Sequence, residues 1–256
     1  MGTSVIELKD VSKNFSVWKE RPNNIKSLLI QLTRFKVSSG QRTVIPVLKN
    51  ISFSIQEGDF VGIMGRNGVG KSTLLKLITG IYTPTEGSVI TKGSIVPLLE
   101  LGAGFHHELT GYENIFLNAA ILGFGRKQIL GKARDIIEFS ELEEHIDQCV
   151  RNYSSGMLMR LGFSIAAHLD ADIFLFDEIL AVGDVGFQNK CLKKIHELNG
   201  ERGKTVILVT HNPDQVLGHC SRCIVFDHSE VTYDGPPDAG IKTYNILNTG
   251  SPALPC

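Results

Sequence analysis

Apolar and polar residues alternate along the start of the chain in the two-residue rhythm of strands. Val5-Ile6-Glu7-Leu8 opens the pattern, Val11 to Phe15 continues it, and between Val47 and Ile55 the side chains of Ile51, Phe53 and Ile55 share one face. After a turn at Glu57-Gly58, the apolar run Phe60-Val61-Gly62-Ile63-Met64 predicts a buried strand, and Leu74-Leu75-Lys76-Leu77-Ile78 predicts a helix after it. Thr83-Pro84-Thr85-Glu86-Gly87 reads as a turn, with short strands expected at Ser88 to Ile90 and Ser94 to Leu99. From Gly111 to about Glu144 the apolar spacing becomes helical, and Leu158 to His168 forms another helix. Ile173-Phe174-Leu175-Phe176 has no polar face and predicts a parallel strand covered on both sides. A helix from Phe187 to Asn199, a strand from Thr205 to Val209, and a strand pair at Cys223 to Phe226 and Val231 to Tyr233 follow. Gly235-Pro236-Pro237 turns the chain into a short helix, Ile241 to Leu247, and a disordered tail is expected over Asn248 to Cys256. This order predicts one α/β domain over residues 1–247, with an antiparallel β part at the start and helices inserted at about 105–168.

Composition adds little. The chain has 256 residues, 42% hydrophobic and 21% charged, and its net charge of −1 gives no global reason to expect a nucleic-acid partner. No apolar stretch reaches the roughly 18 to 20 residues of a spanning helix, and Met1-Gly2-Thr3-Ser4 has no signal-peptide character, so a cytoplasmic location is expected. Five cysteines form no disulfide framework. Cys220 and Cys223 read as reduced structural thiols, the alternative being a zinc site completed by His219 and His228, and His106-His107 reads as a loop pair.

Charge is uneven in one place. Lys19, Arg21, Lys26, Arg34, Lys36 and Arg42 stand against the single acid Glu20, while Ile25, Leu28, Leu29, Leu32 and Phe35 recur at helical spacing. An amphipathic helix from about Asn24 to Phe35 is expected. It is either a surface helix packed on the domain, or a docking element for an anionic membrane surface, a membrane subunit or an anionic lipid-linked cargo.

The candidate chemistry centres on Gly65-Arg66-Asn67-Gly68-Val69-Gly70-Lys71-Ser72-Thr73. Its G-x-x-x-x-G-K-S spacing lies between a predicted strand and a predicted helix, the context a phosphate-binding loop requires. The glycines let backbone N–H groups turn toward a polyphosphate, Lys71 adds charge at the helix start, and Ser72 offers a hydroxyl to Mg2+. Tyr153-Ser154-Ser155-Gly156-Met157 opens a helix with Ser154 as N-cap, a second anion site far along the chain. Asp177 and Glu178 end the buried strand, Asp177 suited to holding Mg2+ and Glu178 to activating water. His211 follows the next strand and belongs to the same sheet edge, within reach of a terminal phosphate. Phe15 either fills the core or stacks on a base.

Taken together, these motifs resemble the ATP-binding subunits of ABC transporters. The resemblance covers nearly the whole chain and implies an α/β P-loop NTPase fold with an antiparallel β subdomain and an inserted helical subdomain. It implies ATP and Mg2+ as ligands, and a head-to-tail homodimer in which Tyr153 to Met157 faces ATP held by the other subunit. It further implies Glu178 as catalytic base, His211 as switch histidine, Asp177 as Mg2+ partner, Phe15 as adenine-stacking aromatic and Asp184 as part of a loop between subunits. Ser155 and Met157 depart from the usual glycine and glutamine, and Glu100 stands where a Mg2+-sensing glutamine is expected. These departures, with Arg160-Leu161-Gly162-Phe163, Asp177 to Asp184 and Glu100 to Phe105, are similar to the exporters of O-antigen and teichoic acid. That branch implies a membrane permease partner, a lipid-linked polysaccharide cargo and a peripheral place on the cytoplasmic face of the inner membrane. The chain is too short for the carbohydrate-binding β-sandwich that some of its members carry. A soluble ABC ATPase acting on nucleic acid lacks its paired units here, and a GTPase lacks its guanine reader, since Asn189-Lys190-Cys191-Leu192 has no acid.

Overall fold

The computed structural model describes residues 2–18, 42–98, 104–177 and 183–249. The expected amphipathic helix at 24–35, Glu100, Glu178 and the end of the tail lie outside the described residues.

Two sheets form the frame. The first is antiparallel and three-stranded, with β1 (Ser4–Trp18) between β2 (Arg42–Gln56) and β4 (Glu86–Thr91). The two alternating segments read at the start of the chain are one strand. They join through a register shift between Leu8 and Val11, where Asp10 takes a positive φ of 49°. The second sheet has six strands in the order β5 (Ile95–Leu98), β6 (Ile173–Asp177), β7 (Thr205–Val209), β3 (Phe60–Gly65), β8 (Arg222–Asp227), β9 (Glu230–Gly235). The first five are parallel, and β9 returns antiparallel on β8.

The unbroken apolar runs are explained by the covering of this second sheet. Ile173, Leu175, Val61, Ile63, Ile207 and Val209 face a cluster shared with the antiparallel sheet and helix α1 (Lys71–Ile78). Phe174, Phe176, Phe60, Met64, Val206 and Leu208 face the opposite cluster, formed with the later helices. Both faces are dry, so a polar residue on either would lose its water without a partner.

The inserted helices are α2 (Gly111–Ile121), α3 (Arg126–Leu130), α4 (Ala133–Ser140) and α5 (Ser155–His168). Thr110 starts α2 with a reciprocal cap: the Glu113 N–H donates to its hydroxyl at 3.1 Å, and its own N–H donates to the Glu113 carboxylate at 2.9 Å. Their apolar side chains merge with the core on one side of the sheet. The chain then forms α6 (Val185–His196), which runs into one π turn at Glu197–Glu201, followed by α7 (Pro213–His219) and α8 (Pro237–Thr249).

Helix α8 corrects the expectation for the C-terminal end. It starts at Pro237, whose missing N–H is no loss at a helix start, and it carries Asn248 and Thr249 as helix rather than disordered tail. Tyr244 and Ile241 anchor it on the core. The two thiols are inert packing groups, with burial pushing Cys220 up to about 12 and Cys223 up to about 11. The His219 ring is engaged by His196, Nδ1 to Nε2 at 2.6 Å, and the described residues hold no cluster of metal-binding side chains.

Candidate functional site

Three neighbouring parallel strands, β6, β7 and β3, end on the same edge of the sheet and deliver the site. From β3 the chain enters the glycine loop. Gly70 caps α1 at φ 108°, and a Cβ there would meet the Val47 carbonyl oxygen and Leu48 Cδ2 at 2.8 Å. Only glycine combines that backbone conformation with that approach. Arg66, Asn67 and Gly68 stay exposed while Val69 plugs the loop into the core.

Lys71 is only 7% exposed. Its ammonium donates to the carbonyls of Gly65 at 2.7 Å and Arg66 at 3.0 Å, and it lies 3.4 Å from Nε2 of His211, just past the end of β7. Asp177 closes β6, and the Ser72 hydroxyl donates to its Oδ2 at 3.3 Å. A cavity of about 420 Å³ opens here, lined by Asn67, Gly68, Gly70, Lys71, Ser72, Thr73, Asp177 and Val47. Amide and ammonium donors thus line one wall, and a hydroxyl and a carboxylate converge at its end. That arrangement offers positive charge and N–H donors along one side and hard oxygen donors at its end, the chemistry a polyphosphate calls for.

The segment Tyr153 to Met157 lies apart from this cavity. Ser154 is the N-cap of α5, accepting from the Met157 N–H at 3.2 Å, and Ser154 and Ser155 are exposed. The helix start therefore faces outward, away from the phosphate loop. Tyr153 points the other way. Its phenol donates to the His145 carbonyl at 2.8 Å against Gly111, and burial pushes it up to about 12. Its side chain braces the segment from inside.

Asp184 caps α6, accepting from the Phe187 N–H at 3.0 Å. That bond, with the neighbouring Arg160 guanidinium, holds its carboxyl below the usual carboxylate range. Arg160, on α5, also bonds Glu141 at 2.8 Å and covers the Phe187 ring at 4.8 Å, and Lys190 holds the same Glu141 at 3.0 Å. One guanidinium thereby ties the helical insertion to the start of α6. Phe15 on β1 packs edge-on to Tyr82 at 5.4 Å between ring centres, with Lys13 above both rings. It is half-buried and is not among the residues lining the phosphate cavity.

Nothing in the sequence marks Val47 or Tyr244 for these roles. Val47 looks like an ordinary strand residue, and Tyr244, whose hydroxyl lies 3.3 Å from Nδ1 of His211, belongs to a segment read only as a short helix. Arg160 carried a signal in its place after Tyr153 to Met157, but its partners are far away in sequence.

The fold and this set of groups define a nucleotide-binding cassette. The model of the ABC transporter family matches residues 48–181, and the chain belongs to that family as an ATP-binding ATPase subunit. It is 42% identical over 241 residues to the O-antigen export system ATP-binding protein RfbB of Klebsiella pneumoniae, covering 94% of this chain and 97% of that protein. It is 48% identical to a protein of the same description from Myxococcus xanthus, where the match spans 93% of this chain but 55% of the longer relative. The teichoic acids export ATP-binding protein TagH of Listeria monocytogenes is 37% identical, over 96% of this chain and 71% of that one. Among solved structures, a dimeric post-hydrolysis ATP-binding cassette bound to ADP and Pi superposes with a TM-score of 0.70 at 25% identity, over 91% of this chain and 98% of that one.

Proposed function

We propose that the chain is the ATP-hydrolysing subunit that powers export of a lipid-linked surface polysaccharide of O-antigen type. It acts as a homodimer bound to an integral-membrane permease, peripherally on the cytoplasmic face of the inner membrane. The convergence of Lys71, Ser72 and Asp177 on one cavity, with His211 beside the Lys71 ammonium, carries the ATPase part of this reading, and the similarity to O-antigen export proteins over nearly the whole chain supports the cargo class.

In this reading the loop amides from Gly65 to Thr73 and the Lys71 ammonium bind the phosphates, with Lys71 exchanging its loop carbonyls for phosphate oxygens. Ser72 and Asp177 would hold Mg2+, with Glu100 as a further ligand, and the donor set of hydroxyl and carboxylate oxygens fits that ion. When bound, Mg2+ neutralises charge on the phosphates and orients them. Phe15 stacks on adenine, Glu178 takes a proton from the attacking water, and His211 contacts the terminal phosphate. The start of α5, with Ser154, Ser155, Gly156 and Met157, caps the phosphate of the second subunit, and Asp184 lies at the contact between them. Closure of the dimer on two nucleotides pulls on the permease, and hydrolysis releases it.

The teichoic acid exporter similarity supports a second cargo, another lipid-linked surface glycan handled by the same machinery. Deleting the chain from its host tests the proposal. Lipid-linked polymer should accumulate inside while surface polymer is lost, and Lys71→Ala should fail to restore it. Unchanged surface polymer would sink the export reading.

A further inference from the structure

His211 is held from two sides by groups with different hydrogen-bonding abilities. On one side, Nε2 lies 3.4 Å from the Lys71 ammonium, which can only donate. This contact calls for an acceptor at Nε2, which puts the imidazole N–H on Nδ1. On the other side, Nδ1 lies 3.3 Å from the hydroxyl of Tyr244, 33 residues further along the chain. In this state Nδ1–H donates and the phenol oxygen accepts.

Tyr244 is well placed to hold this contact. It sits on α8, which begins beyond the β8–β9 pair, and its ring is 7% exposed within the core cluster that includes Met64, Val225 and Tyr233. The hydroxyl is the polar tip of a buried body, so its position is set by packing. A hydroxyl also differs from the other partners available to an imidazole. A carbonyl only accepts and an ammonium only donates, whereas a phenol does either.

We propose that Tyr244 is a positioning residue that lets His211 change tautomer in place as the nucleotide arrives. This rests on the reading of His211 as the group that contacts the terminal phosphate. An anionic phosphate oxygen can only accept, so His211 must then present Nε2–H to it. One proton leaves Nδ1 and one arrives at Nε2, exchanged with solvent, and the ring remains neutral. Nδ1 becomes the acceptor, and the Tyr244 O–H turns to donate. The ring keeps both its place and a satisfied partner in each state. Helix α8 is thereby coupled to the occupancy of the phosphate cavity.

The test combines Tyr244→Phe, which keeps the ring and removes the hydroxyl, with nitrogen NMR of the imidazoles, assigned by comparison with His211→Gln. In the nucleotide-free protein His211 should be protonated on Nδ1, and in a Glu178→Gln protein with Mg-ATP it should be protonated on Nε2. Tyr244→Phe should lose the nucleotide-free preference and lower kcat roughly five- to tenfold, the worth of one neutral hydrogen bond, while KM for ATP stays within about twofold. A thermal midpoint close to that of the unaltered protein would separate this from general unfolding. If His211→Ala is inactive but Tyr244→Phe retains both full kcat and the same tautomers, the role of Tyr244 is wrong and the reading of His211 stands. If His211→Ala hydrolyses ATP at the full rate, the reading of His211 falls and this inference falls with it.

Discussion

Ser72 Oγ and Asp177 Oδ2 meet at 3.3 Å although 105 residues separate them in the chain. The contact exists because β6 and β3 end on the same edge with β7 between them, and because α1 begins where the loop leaves β3. Each residue alone has a bland explanation, a helix-start serine and a strand-end carboxylate. Together they form a hard-oxygen pair at the mouth of a cavity lined by loop amides.

Removing that pair should separate metal dependence from nucleotide contact. Asp177→Asn should lower kcat for Mg-ATP about a hundredfold or more, the scale of losing a charged group aimed at a phosphoryl-transfer site. Binding of ATP without metal, followed by fluorescence of a nucleotide analogue, should change far less. Equal loss with and without Mg2+ would show that Asp177 supports the loop rather than the ion.

Gly70→Ala should be among the most damaging conservative changes. The left-handed backbone costs about 1–2 kcal/mol for an L-residue, and the new methyl collides with the Val47 carbonyl and Leu48. Denaturant unfolding should show at least that loss, and ATP binding should vanish in any protein that still folds. A stable variant with intact binding would mean that the loop has a different conformation in solution.

Arg160→Met keeps an unbranched side chain of similar length but removes the guanidinium from the Phe187 ring and from Glu141 and Asp184. Because the guanidinium ties α5 to the start of α6, ATP binding to a single subunit should persist while ATP-driven pairing and kcat fall severalfold. The comparison is nucleotide affinity against turnover in the same preparation. A variant with unchanged turnover would assign this network to stability alone.

His168 gives a pH dependence with a definite sign. It is half-buried, its Nδ1 bonds the Ser164 carbonyl at 2.7 Å, and partial loss of water around the ring is the main reason its folded value lies below the ordinary 6.5. The unfolded chain therefore takes up the proton first. Stability should be complete above about pH 6.5 and should decline as pH falls from there toward the folded value. His168→Gln should remove that part of the slope. An identical slope in both proteins would place the responsible group elsewhere.

The sheet core and the phosphate loop were legible because the signals there are local. Ile173 to Phe176 has no polar face, Thr205 to Val209 matched its strand, and the glycine loop carries both its spacing and its strand-helix context. What was not legible depends on contacts across the fold. Nothing in Val47 marks it as a wall of the cavity, since β2 reaches the loop through the long-range packing of Val47 and Leu48 against Gly70. Tyr244 meets His211 because α8 folds back over β8, and the short helix expected there gave no reason to look for its hydroxyl. Tyr153 was grouped with its neighbours as a ligand because adjacency in a motif does not say which way a side chain points. Its burial against Gly111 does.

We propose that the start of α5 in one subunit completes the phosphate cavity of another. Light scattering on a Glu178→Gln variant is the measurement to make, with and without Mg-ATP. The expected result is a monomer that becomes a dimer only when Mg-ATP is added, and that stays monomeric when Ser154→Arg is introduced into the same variant. A protein that binds Mg-ATP tightly yet remains monomeric, alone and with its permease, would contradict it.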